Sequence, residues 1–164
     1  MTSESKKRGP GLLDTPEFNV LLFAALLHFP WEFLQVPLFE GMATAPHWSA
    51  IQTCARAALG DAVIALLAYV AVSALTGNRH WVLVPRPLAI AVFLVLPLLG
   101  TIVIERMVLA GMWVDRWHYS DLMPVVPVLG VGLSPLVQWL VLPPILLWIL
   151  RRQLRPAAAA PGPA

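Results

Sequence analysis

Charge is scarce in this sequence. Only 12% of its 164 residues are Asp, Glu, Lys or Arg, while 59% are apolar, well below the charged share of an ordinary soluble domain. A water-facing surface is hard to build from that inventory, so the solvent expected for most of the chain is lipid. Cysteine is scarcer still. The single Cys54 excludes an intramolecular disulfide and every multi-cysteine zinc or iron–sulfur site. The four histidines are scattered, with no pair at the short spacing of a known metal site, so no metal and no cofactor are expected. The net charge of +2 comes without a basic stripe, zinc-finger spacing or aromatic RNA-binding motif, and nucleic acid is not an expected partner. No phosphate-binding loop, dinucleotide fingerprint, nucleophile elbow or zinc-protease helix is present either.

The sequence does contain four long apolar runs, at about residues 18–38, 55–75, 88–109 and 129–150. Each reaches the roughly 20 helical residues needed to cross a hydrocarbon core of about 30 Å. The fold class expected is therefore all-α, an integral membrane four-helix bundle over 18–150. Residues 1–17 read as a cytoplasmic tail and residues 151–164 as a disordered one, because neither has enough apolar surface to bury. Orientation follows from the basic residues. Lys6, Lys7, Arg8, Arg79, Arg86, Arg151, Arg152 and Arg155 flank one side and only Arg116 the other, which places both termini in the cytoplasm. Trp48, Trp81, Trp113, Trp117 and Trp148 fall near the span boundaries, as an interfacial aromatic belt would. A cleavable signal peptide is the competing reading of the N-terminus, with Ala43-Thr44-Ala45 as its cleavage triplet. The triplet lies well past the apolar run, however, and Pro46 directly follows it.

Ionisable residues within a span each cost on the order of 2.5 to 3.5 kcal/mol at its centre, so each needs a partner or a task. Five stand out: Glu32, Arg56, Asp61, Glu105 and Arg106. At about 1.5 Å per residue, Glu32 and Asp61 lie roughly 9 Å, and Glu105 roughly 6 Å, below the outer end of their spans. Gln138 in the fourth span lies about 13 Å in, with Trp31 and Trp139 at similar depth. The polar groups of four antiparallel helices therefore share one layer. In the first span His28, Glu32 and Gln35 fall within roughly 60° of one helical face. Pro30 should kink or break that helix beside them. Arg56 lies about 140° from Asp61 on its own helix, which makes Glu32 or Glu105 its expected partner. Gly60, Gly100, Gly130 and Gly132 are candidates for close helix approach. The segment Trp113 to Tyr119, with Arg116 at its middle and joined by His47, is placed to cap a cavity.

The segment Trp31-Glu32-Phe33-Leu34-Gln35-Val36-Pro37-Leu38-Phe39-Glu40-Gly41-Met42, followed by Arg56 and Gly60-Asp61, resembles a family of small, uncharacterised bacterial four-helix inner-membrane proteins. Met123-Pro124 and Gly132-Leu133-Ser134-Pro135-Leu136-Val137-Gln138-Trp139 add to the resemblance, which covers nearly all of the four-span region. It implies a bacterial inner membrane and no particular reaction.

Three functions compete for the polar layer. One is a binding or catalytic site for a small amphipathic or lipid-like substrate, with Glu32, Asp61 and Glu105 as catalytic candidates. Its binding candidates are His28, Trp31, Gln35, Arg56, Arg116, Gln138 and Trp139. The second is a proton-coupled carrier or membrane-complex subunit, which four spans could serve only as a homo-oligomer. The third is a scaffold in which the same groups merely glue helices together.

Overall fold

The computed structural model describes residues 11–112 and 117–155. Four helices carry it: α1 (Pro16–Leu34), α2 (His47–Thr76), α3 (Pro87–Leu109) and α4 (Leu133–Gln153). Each is long and apolar enough to cross a membrane. Each packs on its chain neighbours, and α4 closes the ring against α1. Two of the starts are set by proline. Pro16 and Pro87 open α1 and α3, where the missing N–H is no loss and the fixed φ suits the first turn. The stop of α2 is set by Gly77, whose φ of 64° lets its N–H reach Ala74 O at 3.3 Å while that of Asn78 reaches Ser73 O at 3.1 Å. That is the Schellman closure, which an L side chain at positive φ would strain.

The core follows from side-chain size. On α2, Ala58, Ala62, Ala65, Ala68 and Val72 recur at helical spacing and are all at most 2% exposed, forming a seam of small side chains along which backbones can approach closely. Val20 and Ala24 of α1 belong to the same buried cluster as Ala62, Ala65, Ala68 and Val72. At the end opposite the cavity described below, Tyr69, Trp81 and Phe93 pack ring against ring, with centroids 5.2 Å apart for Tyr69–Trp81 and 5.6 Å for Trp81–Phe93. The Tyr69 hydroxyl donates to Arg79 O at 2.6 Å. The outer faces keep Leu26, Leu67, Leu99 and Leu140 more than half exposed, so much of the helices' exterior is apolar.

Several boundaries differ from the sequence expectation. The first helix ends at Leu34, not 38, because Val36–Leu38 turns as a 3-10 segment around Pro37. It runs unbroken through Pro30, so that proline does not interrupt it. The second helix starts at His47, eight residues earlier than expected, and the fourth at Leu133, four residues later. Residues 129–132 instead belong to a short hairpin, β1 (Val125–Val126) pairing antiparallel with β2 (Val131–Gly132). Part of the expected tail is also structured: Leu12–Asp14 forms a 3-10 turn, tied to α1 by the Asn19 amide, which donates to Leu13 O at 2.7 Å and Thr15 O at 2.8 Å. Arg151 and Arg152 continue α4 rather than opening a tail. Residues 156–164, the rest of the expected disordered tail, lie outside the described residues. Of the expected aromatic belt, Trp48 and Trp148 are exposed, but Trp81 is 2% exposed and belongs to the core. Trp113 lies outside the described residues.

Candidate functional site

One end of the bundle gathers the C-termini of α1 and α3 and the N-termini of α2 and α4. The two connections there are fastened to each other. Glu40 N–H donates to His118 O at 2.9 Å and Ser120 N–H to Leu38 O at 3.0 Å. Ser120 Oγ reaches Pro37 O at 2.8 Å, and Phe39 pairs with Tyr119 as a single β-bridge. Beneath this clasp lies a cavity of about 850 Å³.

Its polar floor is built from α1, α2 and α4. Spacings of four and three residues put His28, Glu32 and Gln35 on one face of α1, and all three are at most 9% exposed. Ser134 and Gln138, four apart on α4, face them. Ser134 Oγ donates to Gln35 Oε1 at 3.0 Å, and Gln35 Nε2 donates to Glu32 Oε1 at 2.9 Å. The Gln138 amide is the hub. Its Nε2 donates to Asp61 Oδ2 at 2.8 Å and to Glu32 Oε1 at 3.1 Å, and it lies 2.7 Å from His28 Nδ1. His28 Nδ1 in turn lies 3.1 Å from Asp61 Oδ2. An amide nitrogen has only two hydrogens for these three neighbours. The amide therefore cannot donate to all three at once.

The α3 wall carries Glu105, which accepts from Tyr119 OH in a short bond and from Trp117 Nε1 at 3.3 Å. Tyr119 is held in turn by Gly132, whose N–H donates to its hydroxyl at 2.9 Å. Burial, and after it the carboxylate that Tyr119 donates to, raise its phenol pKa above the ordinary value, so it stays a donor. A side chain at Gly132 would place a Cβ 2.8 Å from Met123 Sδ and 3.1 Å from Tyr119 Cζ. Glycine there lets the hairpin lie against the tyrosine.

Seven of the ten residues singled out from sequence line this one cavity: Glu32, Gln35, Arg56, Asp61, Glu105, Gln138 and Trp139. His28 lies behind the floor, 1% exposed, its ring 4.9 Å from that of Trp139. Trp31 does not line the cavity, and its indole N–H is buried without a partner among the described residues. Arg116 lies outside the described residues. Arg56 differs from expectation. It is exposed and lines the cavity, but among the described residues it makes no ion pair within 4 Å with Glu32 or Glu105. Arg106 points elsewhere, donating to Leu129 O at 2.9 Å and stapling the hairpin. A Cβ at Gly60 or Gly100 would meet nothing within 4 Å, so neither marks a close helix approach, and Gly60 borders the cavity instead. His47 is exposed and not among the lining residues, whereas His118 is.

Sequence reasoning did not select Ser134, and it placed Trp117 and Tyr119 over the cavity only as part of the capping segment, not as donors to Glu105. Ser134 was legible from its four-residue spacing to Gln138. The roles of Trp117 and Tyr119 depend on a loop folding back onto α3, and no local periodicity signals that. Among the described residues, no three of His, Cys, Asp and Glu are grouped to hold a metal ion.

Fold and site together define a class: a four-helix protein with membrane-capable helices and a polar-floored cavity at one end. No protein-family model matches the chain, and no curated protein or solved structure matches it. The likeness carried by Trp31 to Met42 and by Gly132 to Trp139 stays a resemblance of motifs.

Proposed function

We propose that this chain is a multi-pass protein of a bacterial inner membrane, with both termini in the cytoplasm, that binds a small amphipathic or lipid-like molecule in the cavity and exchanges a proton with it. The cavity itself carries this reading. A cluster that served only to pack helices would fill its own space, whereas this polar layer borders a void of about 850 Å³, a size typical of small-molecule sites. Away from the floor its lining mixes polar groups such as Glu105 and Arg56 with the apolar side chains of Val36, Phe39, Met42, Ile64, Ile104 and Trp139. A ligand with a polar head and an apolar body fits that lining. Glu32 and Asp61 are the acid and base, Glu105 is a modulating charge, and the Arg56 guanidinium at the mouth anchors an anionic group.

The orientation rests on the basic residues: Arg79, Arg86, Arg151, Arg152 and Arg155 are at the end opposite the cavity and Lys6, Lys7 and Arg8 precede α1 in the sequence, against Arg56 and Arg106 near the cavity. The cavity then opens toward the outer leaflet. The bacterial inner membrane rests on the motif resemblance.

Native mass spectrometry of the protein purified in mild detergent tests the reading, comparing wild type with Glu32→Gln and Asp61→Asn. Wild type is expected to retain a small molecule of defined mass that both variants lose by about tenfold or more, the loss of one charge-assisted bond of about 1.5 to 3 kcal/mol. A ligand-free mass in all three, with altered stability or oligomeric state in the variants, would overturn it in favour of packing alone.

A further inference from the structure

A second cavity of about 430 Å³ lies at the opposite end of the bundle, between α3 and α4. Its wall includes Ile90, Leu94 and Leu147, and its rim carries Arg151, Arg152 and Arg155. No carboxylate lines it. The one Lys/Arg–carboxylate pair among the described residues, Arg79 with Glu17 at 2.7 Å, is also at this end, but neither partner lines the cavity. Arginine at a helix C-terminus is favoured by the helix dipole. That accounts for the charge of the three residues but not for the void beside them. Nor does it account for Arg151, whose Nε is buried with no hydrogen-bond partner among the described residues. A buried guanidinium nitrogen without an acceptor is costly, and a phosphate oxygen is one of the acceptors its rigid fork matches. Arg152 is held over the Trp148 ring, 4.6 Å from its centroid, an arrangement that fixes a cation beside an interfacial indole.

We infer that this groove binds one anionic phospholipid, its phosphodiester on Arg151 and Arg155 and an acyl chain along Ile90, Leu94 and Leu147. Basic pockets between membrane helices suit such headgroups, and the apolar wall adjoins the exposed apolar faces of α3 and α4, where Leu88 is 75% and Leu140 60% exposed. The site is separate from the first cavity, and its occupancy does not depend on what that cavity binds.

The test is native mass spectrometry of detergent-purified protein titrated with phosphatidylglycerol or with phosphatidylcholine of matched chains. Wild type is expected to retain phosphatidylglycerol preferentially, and Arg151→Gln with Arg155→Gln to lower that preference by about fivefold per arginine. Arg86→Gln, which removes a charge at the same end without touching the cavity, is expected to leave it unchanged. Leu94→Trp fills the wall while keeping every charge and is expected to abolish the preference, so the test survives if the double arginine variant fails to fold. Equal retention of the two lipids by wild type would overturn the inference, as would an effect of Arg86→Gln equal to that of the rim arginines. Glycerol 3-phosphate separates the two sources of a phosphate. Binding of this soluble anion at concentrations as low as the lipid needs would make the groove a free-phosphate site and overturn the lipid assignment.

Discussion

The side chain on which the polar floor depends is Gln138. Its amide donates to carboxylates from two other helices and touches the ring of His28, so one uncharged residue holds Glu32 and Asp61 together. Glu105 is treated differently. Its oxygen is served by Tyr119 and Trp117 from a loop, and Tyr119→Phe would leave it with the 3.3 Å indole bond alone. Leaving a buried carboxylate short of a donor costs about 1 to 3 kcal/mol. The expected result is a lowered midpoint of thermal unfolding in detergent, and an unchanged midpoint would show that Tyr119 contributes nothing to the wall. At this scale the sequence was partly legible. Helical periodicity put His28, Glu32 and Gln35 on one face, and equal depth put Asp61, Glu105 and Gln138 in the same layer, because both follow from a regular rise. The partners of Glu105 and the direction of Arg56 were not legible. They depend on how the 117–132 loop and the mouth are shaped, which rise and rotation do not encode.

Among the elements, α2 sets the geometry of the site. Its 30 residues extend about 45 Å, well beyond a hydrocarbon core of about 30 Å. The surplus lies at its N-terminal end, where Thr53, Cys54 and Arg56 reach the cavity. Hydropathy identified only the apolar part of this helix, since His47 to Thr53 is too polar to read as a span yet remains helical. The loop tryptophan Trp81 was misplaced for a related reason. Position near a boundary suggests an interfacial belt, but the 3-10 turn Trp81–Leu83 tucks the ring against Tyr69 and Phe93. The proposed orientation of these elements makes a prediction of its own. In a Cys54→Ser background, Trp48→Cys is expected to react with an impermeant maleimide added to intact bacteria, while Asn78→Cys reacts only after the membrane is opened. The reverse pattern would invert the bundle.

For the whole molecule, the two ends divide the chemistry. One carries a carboxylate-rich cavity under a clasp of loops, the other an arginine-rimmed groove, and an alanine seam with an aromatic core separates them. That division agrees with a protein that takes an amphipathic molecule from one leaflet while being seated by anionic lipid in the other. The central claim is that the larger cavity is a ligand site, and photo-crosslinking tests it most directly. A short-chain amphipath bearing a diazirine would be irradiated with the protein in nanodiscs and its adducts mapped by peptide mass spectrometry. Adducts concentrated on the peptides carrying Val36, Met42 and Ile104, and competed by excess unlabelled amphipath, are the expected result. Adducts confined to outward-facing positions such as Leu67, Leu99 and Leu140, with no competition, would contradict it.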